Sequence, residues 1–420
     1  MIGLCDCNNF YASCEKLFRP DLKNKPIIIL SNNDGCVVAL SKEAKQLKIK
    51  RGLPYFQCKT LIEKNGVIAF SSNYTLYQDI SDRIMNRLRD LVGLITPYSI
   101  DEAFFRMPYY LKPEQIRDDI KKNIGIDVSI GVARTKTLAK IANKIGKQLD
   151  SNCLYLKKEW ESKALYKTKV EDVWGIGKNK ARFLKSHNIL NAYDLIEQNE
   201  LWIRKNLSLP TLETMKELKG IPCINVEMPQ TKNICSGITF SKPRESIEEL
   251  EEAISCHCTI LGEKLIAKQL ETKTISVNIF TNRFEENYIA PISTIYLKEA
   301  TNYIPNLIKA AKTILYKIYA KNCKYKGCRI WANNLTRDGY RQLDIFNGEK
   351  NNLLLEKQDK LAKVVNEISN TYGREKISSA ATNNLVKNDL QSRCNLSPFY
   401  TTRWEDIPKV KCKNKYIKKR

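Results

Sequence analysis

The sequence lacks any run of apolar residues long enough to cross a membrane, and no basic stretch followed by an apolar one opens it as in a signal peptide. It also lacks internal repeats and low-complexity tracts. Because 43% of the 420 residues are hydrophobic, the chain can build apolar cores, and its length predicts three or more domains. We therefore expect a multidomain cytoplasmic protein without a membrane partner.

A disulfide framework is absent too, since the 14 cysteines are scattered along the chain, and we expect reduced, mostly buried thiols. A zinc site is the alternative, formed by Cys256, His257 and Cys258 together with Cys323 and Cys328. However, Cys256 and Cys258 lie in an apolar helical pattern, and no second tight pair has the spacing of a zinc finger. The pattern favours thiols.

Acidic residues are scarce relative to basic ones. The chain has 46 Asp and Glu residues against 70 Lys and Arg residues, which gives a formal net charge of +24. In a globular protein such an excess indicates a polyanionic partner, and nucleic acid is the usual one.

The acids that are present include three in unusual positions. Asp6 lies inside the apolar stretch Ile2-Gly3-Leu4-Cys5-Asp6-Cys7, and the neighbours Asp101 and Glu102 lie in another, from Tyr98 to Phe105. Carboxylates in predicted buried strands need compensation, and a pair of divalent cations provides it. Three carboxylates around two metals are typical of phosphoryl transfer. Because successive strand residues face opposite ways, Asp101 and Glu102 require a strand end or a tight hairpin. The alternative is an ordinary exposed turn.

The pattern around these acids predicts an α+β fold. A strand precedes Asn8, a helix covers about Tyr74 to Leu91, and two short strands follow from Tyr98 to Met107. A helix over Pro113–Asn123 and a strand over 128–133 complete a strand-helix-strand-strand-helix-strand order, with a further helix over Thr137–Lys144. This order is typical of a ferredoxin-like sheet with the acids at the ends of its central strands.

Several side chains near the acids are candidate nucleotide contacts. An aromatic ring at Phe10 or Tyr11 packed against C2′ of a sugar would select deoxyribonucleotides by steric clash, although both could equally be core aromatics. Lys42, Lys45 and Lys140 are candidate triphosphate contacts, because a triphosphate needs fixed cations. The alternative is a solvated basic surface, since Lys140 begins a lysine stripe on one helix face that continues with Lys144 and Lys147.

Gly175-Ile176-Gly177 stands between an apolar run and a basic helix, in the form of a helix-hairpin-helix. Its glycines permit a tight turn, and the N–H groups at the start of the next helix, near Lys178, can meet a DNA phosphate.

Gln342, Leu343, Ile345 and Phe346 form a short peptide in a loosely patterned, polar region. A glutamine followed by aliphatic and aromatic residues suits docking into a small hydrophobic pocket. The alternative is a fragment of local core.

Taken together, these motifs resemble the Y-family translesion DNA polymerases, and the chain is similar to their UmuC-type branch, which supplies the catalytic subunit of bacterial DNA polymerase V. The resemblance spans nearly the whole chain. The motifs that carry it are Asp6 with Asn9-Phe10-Tyr11, Phe70-Ser71-Ser72-Asn73-Tyr74, Tyr98-Ser99-Ile100-Asp101-Glu102-Ala103-Phe104, Gly131-Val132-Ala133-Arg134-Thr135-Lys136-Thr137-Leu138-Ala139-Lys140 and Val173-Trp174-Gly175-Ile176-Gly177. Ser31-Asn32-Asn33-Asp34-Gly35-Cys36 and Leu396-Ser397-Pro398-Phe399-Tyr400-Thr401-Thr402-Arg403 indicate the branch.

The resemblance implies a multidomain right-hand polymerase. Its expected parts are a ferredoxin-like palm, small fingers, a helical thumb containing the helix-hairpin-helix, an α/β little finger and a C-terminal extension. In the same order, the expected bounds are 1–20 and 75–167, 21–74, 168–230, 231–336 and 337–420.

It also implies residue roles and partners. Asp6, Asp101, Glu102 and the carbonyl of Cys7 would hold two Mg²⁺ ions, Tyr11 would be the steric gate, and Lys45 and Lys140 would grip the triphosphate of a dNTP. The implied partners are primed and damaged DNA, dNTPs, a UmuD-type accessory dimer, a recombinase filament and a sliding clamp that binds the peptide at Gln342. The implied activity is error-prone synthesis past lesions in the SOS response, without proofreading.

Two other functions fit parts of the pattern. A DNA-bound scaffold would keep the fold without turnover, but the intact acids speak against it. A palm-type nucleotidyl cyclase also places carboxylates on a ferredoxin-like sheet, yet it would need neither a charge of +24 nor the glycine hairpin.

Overall fold

The computed structural model of the chain describes residues 1–225, 231–338, 348–372, 377 and 393–409. The chain divides into two compact units, Met1–Met228 with Arg393–Arg420 and Pro229–Ser392. The C-terminal region from residue 337, which the sequence predicts as one extension, is therefore shared between them. No helix in the described ranges is long and apolar enough to span a membrane.

The first unit combines eight strands with eleven α-helices in its described part. The strands are β1 (Ile2–Cys7), β2 (Ile27–Leu30), β3 (Val37–Leu40), β4 (Ile68–Ser71), β5 (Ile95–Pro97), β6 (Glu102–Arg106), β7 (Val128–Ala133) and β8 (Cys153–Tyr155). The helices are α1 (Phe10–Leu17), α2 (Lys42–Gln46), α3 (Tyr55–Lys64), α4 (Tyr74–Val92), α5 (Pro113–Ile124), α6 (Lys136–Gly146), α7 (Lys158–Lys167), α8 (Lys178–Ser186), α9 (Ala192–Ile196), α10 (Glu200–Asn206) and α11 (Leu209–Leu218).

The palm is a five-stranded sheet in the order β5-β6-β1-β7-β8, antiparallel except between β7 and β8. Alternating side chains of β1 enter different cores. Cys5 and Cys7 pack with residues of α4 and α5, whereas Leu4 packs with residues of α6. Helices thus cover both faces of this sheet. The α6 helix lies very close to β7, and the absence of a side chain at Gly131 permits this approach. A Cβ added at Gly131 would stand 2.1 Å from the backbone nitrogen of Asn143. The predicted α+β fold with a ferredoxin-like palm is confirmed.

The fingers and the helical region after the palm complete the first unit. A small sheet in the order β3-β2-β4 has a fully buried central strand, β2, and packs against α2 and α3. Helices α7 to α11 follow the palm and share one apolar core with α6, because each presents an apolar face to it.

The second unit has strands β9 (Ile234–Arg244), β10 (Leu270–Phe280), β11 (Ile292–Thr301) and β12 (Tyr325–Arg337), with helices α12 (Ile247–Ala267), α13 (Ile304–Ile318) and α14 (Gly348–Tyr372). Its sheet is antiparallel in the order β11-β10-β12-β9. Alternate residues of β9 from Ile234 to Phe240 are buried, and Ile234, Ile238 and Phe240 pack into one core with α12 and α13, while Cys235, Gly237 and Thr239 are exposed.

Candidate active site

The backbones of the three predicted acids lie next to one another at one corner of the palm sheet. Asp6 on β1 lies directly opposite Glu102 on β6 in the antiparallel register, and opposed residues of such a pair share one face. Asp101 occupies the turn before β6, where its carbonyl accepts a hydrogen bond of 2.9 Å from the backbone N–H of Cys7. The hairpin that the sequence requires is therefore present, although its first strand, β5, ends at Pro97 rather than starting at Tyr98.

Two lysines from the α6 region reach these acids. Lys140 Nζ lies 3.0 and 3.2 Å from the two carboxylate oxygens of Glu102, and Lys147 Nζ lies 2.5 Å from Asp6 Oδ1. The third lysine of the predicted stripe, Lys144, is 2.6 Å from Asp172 Oδ2. Each lysine of the stripe thus pairs with an acid, so the stripe is not simply a solvated basic surface.

Burial makes the negative charge at this corner costly. The pKa of Asp6 is raised from 3.8 to about 7, mainly by burial, and Glu102 raises it further while Lys147 opposes the shift. A buried acid beside a second acid calls for added positive charge. The lysines supply some of it, and a cation bound between the acids would supply more.

The donors at this corner fit a hard divalent cation, because they are carboxylate and carbonyl oxygens. The thiol of Cys7 is buried in the core on the opposite face of the sheet, so only the backbone carbonyl of Cys7 could act as a ligand. In this arrangement Asp101 Oδ1 accepts a hydrogen bond of 2.6 Å from Ser99 Oγ. Within the described part of the chain, no three Asp, Glu, His or Cys side chains are grouped as a preformed metal centre.

The two aromatic candidates lie differently. Phe10 is only 3% exposed and packs inside the palm core, which favours the packing interpretation of this ring over nucleotide contact. Tyr11 is partly exposed, and its ring stacks on Tyr77 with centroids 4.4 Å apart and planes inclined by 16°. Tyr74 meets it edge-on at 6.0 Å. Tyr77 therefore supports one face of the Tyr11 ring, which remains partly exposed.

Two of the three predicted triphosphate contacts, Lys42 and Lys45, line a cavity of about 720 Å³ beside α1, whereas Lys140 does not and bonds Glu102 instead. Lys147 also lines this cavity, together with Asn8 and Asn9. Lys45 Nζ donates a hydrogen bond of 2.5 Å to Asn9 Oδ1, and burial together with Lys147 and Arg51 lowers the pKa of Lys45. The crowding of cations creates a positive field suited to an anion.

The glycine motif leads into the α8 helix. Gly175 adopts φ 84°, a backbone conformation that glycine adopts readily and other residues rarely do. Gly177 is the residue before the first turn of α8. Lys178 begins that helix. Trp174 Nε1 donates a hydrogen bond of 3.1 Å to the hydroxyl of Tyr98, next to the acids. The peptide Gln342, Leu343, Ile345 and Phe346 lies outside the described residues.

Two sets of residues at this site are not predicted from the sequence. Lys147 appears in the predicted stripe, but nothing there signals its pairing with Asp6. The buried pair Glu15 and Tyr77 also went unnoticed, although an acid inside the amphipathic α1 helix is a signal that could have found it.

Comparison with known proteins identifies the family. Models described as the impB/mucB/samB family and its C-terminal domain match residues 5–144 and 231–345, and a model of a domain of unknown function matches 359–410. The chain is 34% identical to Protein UmuC of Salmonella typhimurium, over 98% of this chain and 100% of that protein. It is equally similar to Protein SamB of the same organism, at 34% over 98% and 100%.

More distant proteins also match this chain in sequence or in fold. The chain is 27% identical to DNA polymerase IV of Oceanobacillus iheyensis, over 92% of this chain and 93% of that protein. A solved Y-family DNA polymerase chimera of Dbh and Dpo4 superposes with a TM-score of 0.66 at 22% identity, covering 80% of this chain and all of that one.

The fold is thus that of a right-hand polymerase. The chain belongs to the impB/mucB/samB family, the UmuC-type branch of the Y-family translesion DNA polymerases. The resemblance seen in the sequence is confirmed.

Proposed function

We propose that the chain copies damaged DNA by error-prone nucleotidyl transfer from dNTPs to a primer 3′-hydroxyl, in the SOS response and without proofreading. The observation that carries this proposal is the direct opposition of Asp6 and Glu102, with Asp101 tied to the backbone of Cys7. Three carboxylates on adjoining backbone segments form a rigid acidic corner, as transfer of a nucleotidyl group requires.

Members of this family generally depend on a divalent metal. We infer that Asp6, Asp101, Glu102 and the carbonyl of Cys7 hold two Mg²⁺ ions here, because these donors are the hard oxygens that Mg²⁺ prefers. When bound, the ions supply Lewis acidity that stabilises the attacking and leaving oxygens. The protein's own part is to hold the carboxylates in register and to neutralise them through Lys140 and Lys147 while the site is empty of substrate.

The nucleotide would lie between the acids and the basic cavity. Tyr11 would exclude a 2′-hydroxyl by steric repulsion, because its ring is backed by Tyr77 and cannot retreat. Lys45 and Lys147 line the cavity and would take the phosphates, and Lys140 stands beside Glu102. Lys147 joins Lys45 and Lys140 as a triphosphate candidate on this geometry.

DNA would be held through phosphates rather than bases. The Gly175–Gly177 turn presents the first N–H groups of α8 beside Lys178, a site suited to a phosphate of any sequence. The exposed face of the second unit's sheet adds basic side chains such as Lys298 and Arg329. The small fingers would check the nascent pair loosely, which suits a damaged template.

Family membership supports the proposed protein partners. The similarity to Protein UmuC over the full chain supports binding of a UmuD-type accessory dimer and stimulation by a recombinase filament. The peptide at Gln342, Leu343, Ile345 and Phe346 would dock into a sliding clamp as an extended segment.

Primer extension tests the catalytic proposal. The assay uses Mg²⁺, dNTPs and two primed templates, one undamaged and one with an abasic site, with and without accessory subunits and an activated recombinase filament. Wild type is compared with Asp101→Asn and with a matched control, Asp118→Asn, which removes an exposed acid on α5. We expect extension past the lesion by wild type and by the control, and none by Asp101→Asn.

The same assay separates the competing scaffold function. Tight binding of primed DNA without extension in either series would replace the polymerase proposal with the scaffold. Equal extension by Asp101→Asn would show that the acid corner does not perform the chemistry.

A further inference from the structure

A C-terminal stretch, residues 394–400, returns to the first unit and is called the returning segment here. Its backbone extends the fingers sheet at β4. Ser71 N–H donates a hydrogen bond of 2.9 Å to the carbonyl of Asn395, and Ser71 pairs with Leu396 in a parallel bridge. In return, Asn395 N–H donates to Ser71 Oγ at 3.1 Å. The segment therefore covers the edge strand of the fingers sheet.

Side chains attach the same segment to the palm. The amide of Asn73, which caps α4, donates hydrogen bonds to the Oγ and the carbonyl of Ser397 at 3.0 and 3.2 Å. Tyr400 stacks on Phe18 with ring centroids 4.7 Å apart. The returning segment is thus fixed both at the start of α4 and at the end of α1.

The buried centre of this contact is a carboxyl group. Glu15 on α1 is fully buried, and its Oε1 accepts hydrogen bonds from Ser397 Oγ at 3.0 Å and from the Tyr77 hydroxyl at 2.7 Å. Among the described residues its other oxygen, Oε2, has no hydrogen-bond partner. Ser397 therefore supplies one of two bonds that hold a buried polar group, and losing such a bond is costly.

Tyr77 connects that carboxyl to the nucleotide site. Its hydroxyl is held by Glu15, its side chain is fully buried, and its ring stacks on Tyr11. Ring repulsion rises steeply with approach, so a shift of the supporting ring changes how closely a 2′-hydroxyl can lie against Tyr11. The contacts of Ser397 with Glu15, of Glu15 with Tyr77 and of Tyr77 with Tyr11 run without a gap from the returning segment to the Tyr11 ring.

We propose that the returning segment is a positioning element of the sugar gate: Ser397, through Glu15 and Tyr77, holds the Tyr11 ring and so sets how strictly deoxyribonucleotides are selected. This inference rests on the proposed function, in which Tyr11 contacts the sugar. It assigns a task to the end of the region that matches a domain of unknown function. Ser397, Glu15 and Tyr77 are positioning residues, because none of them touches the nucleotide.

The test compares incorporation of dATP and ATP opposite thymine by the full chain, with accessory subunits present, in single-turnover kinetics. The variants are Ser397→Ala and Tyr77→Phe, which each remove a hydroxyl that bonds Glu15. Ser397→Thr restores the hydroxyl, Thr402→Ala removes an exposed one near the segment, and Tyr11→Ala removes the gate. Thermal unfolding of each variant confirms that it is folded.

We expect Ser397→Ala and Tyr77→Phe to lower the ratio of dATP to ATP efficiency about fivefold, the effect of losing one hydrogen bond. Ser397→Thr and Thr402→Ala should keep the wild-type ratio, and Tyr11→Ala should lower it most. The ratio is informative because a merely structural role would lower both efficiencies equally.

Two results would overturn the inference in distinguishable ways. If Ser397→Ala and Tyr77→Phe leave the ratio of dATP to ATP efficiency unchanged, or lower both efficiencies equally, the positioning role is refuted. If Tyr11→Ala still lowers that ratio in the same experiment, the proposed function stands. An unchanged ratio in Tyr11→Ala would instead remove Tyr11 from the sugar pocket, and the inference would fall with that part of the proposed function.

Discussion

The palm sheet and the sheet of the second unit share one order along the chain, strand-helix-strand-strand-helix-strand, but they differ in what covers them. In the palm, α4 and α5 lie on one face and α6 lies on the other. In the second unit, α12 and α13 lie on one face, and no helix of the described ranges packs on the other. The covered sheet surrounds its acids with fixed partners, while the open sheet leaves a broad surface.

The strand orders differ as well. The palm order β5-β6-β1-β7 places β1 beside β6, so that Asp6 and Glu102 are opposed. The order β11-β10-β12-β9 instead brings β10 and β12 to the centre, where Asn278 is opposed to Arg329. The same succession of elements thus builds an acidic corner in one case and a polar surface in the other, because register decides which side chains meet.

The largest effect should come from the covered sheet. Asp6→Asn keeps the shape of the side chain but removes its charge, so nucleotidyl transfer should fall by about 10³-fold, the scale of losing a central electrostatic group. Binding of primed DNA should be nearly unchanged. Rapid-quench extension and fluorescence anisotropy measure the two quantities, with Glu285→Gln in the second unit as the control. If Asp6→Asn weakened DNA binding as much as it slowed nucleotidyl transfer, the assignment of chemistry to the palm sheet and of DNA binding to the other sheet would be contradicted.

The buried acid of the palm should give the next largest effect. Burial raises the pKa of Glu15 from 4.5 to about 7, so the folded state binds this proton more tightly than the unfolded chain. The stability contributed by this carboxyl is full below about pH 4.5 and is lost as the pH rises through about 7. Across that pH range the free energy of unfolding of wild type should fall by on the order of 2 kcal/mol because of this group, and Glu15→Gln should remove that fall.

Chemical denaturation of wild type and Glu15→Gln at pH 5 and pH 8 measures this difference. We expect the variant to gain stability relative to wild type as the pH rises. A pH-independent difference between the two proteins would show that burial does not shift Glu15.

In the second unit, the pH dependence of stability should have the opposite sign. Burial, and the nearby Lys264, lower the pKa of His257 on α12 from 6.5 to about 4, and its Nδ1 lies 2.9 Å from Ser236 Oγ. The stability that depends on the neutral ring is present above about pH 6.5 and is lost as the pH falls through about 4. His257→Gln should therefore unfold with less acid sensitivity than wild type between these pH values. Parallel thermal-unfolding curves for the two proteins from pH 7 to pH 4 would contradict the shift.

The smallest effect should come from the open sheet. Arg329 is exposed on β12 and lies over the Phe280 ring at 4.8 Å. If it neutralises one phosphate, Arg329→Ala should reduce the salt dependence of DNA binding by about one unit of slope and leave the rate at saturating DNA unchanged. The control Lys360→Ala alters an exposed lysine of α14. An unchanged slope would mean that this face does not bind DNA.

Periodicity and turn signals predicted much of the first unit. The strand at Val128–Ala133 and the helices at Tyr74–Val92 and Pro113–Ile124 have strong apolar patterns, and they form close to where the sequence places them. The helix Tyr55–Lys64 was missed because it buries little more than Cys58 and Ile62. The strand Ile68–Ser71 was missed because it pairs with a distant strand, Ile27–Leu30.

The candidate site likewise has residues that the sequence predicts and residues whose roles it leaves open. The identity of Asp6, Asp101 and Glu102 follows from acids embedded in apolar segments, which few sequences contain without a reason. The two readings of Phe10 and Tyr11 could not be separated in the sequence, because only packing makes one ring 3% exposed and leaves the other partly exposed.

The sequence by itself determined the acids, the hairpin that carries two of them, and the excess of positive charge, since each depends on neighbouring residues or on composition. Only the tertiary structure decided that Lys147 pairs with Asp6, 141 residues away, and that Ser397 bonds Glu15 across 382 residues. Contacts between such distant residues leave no local pattern, because the backbone must fold before either side chain meets its partner.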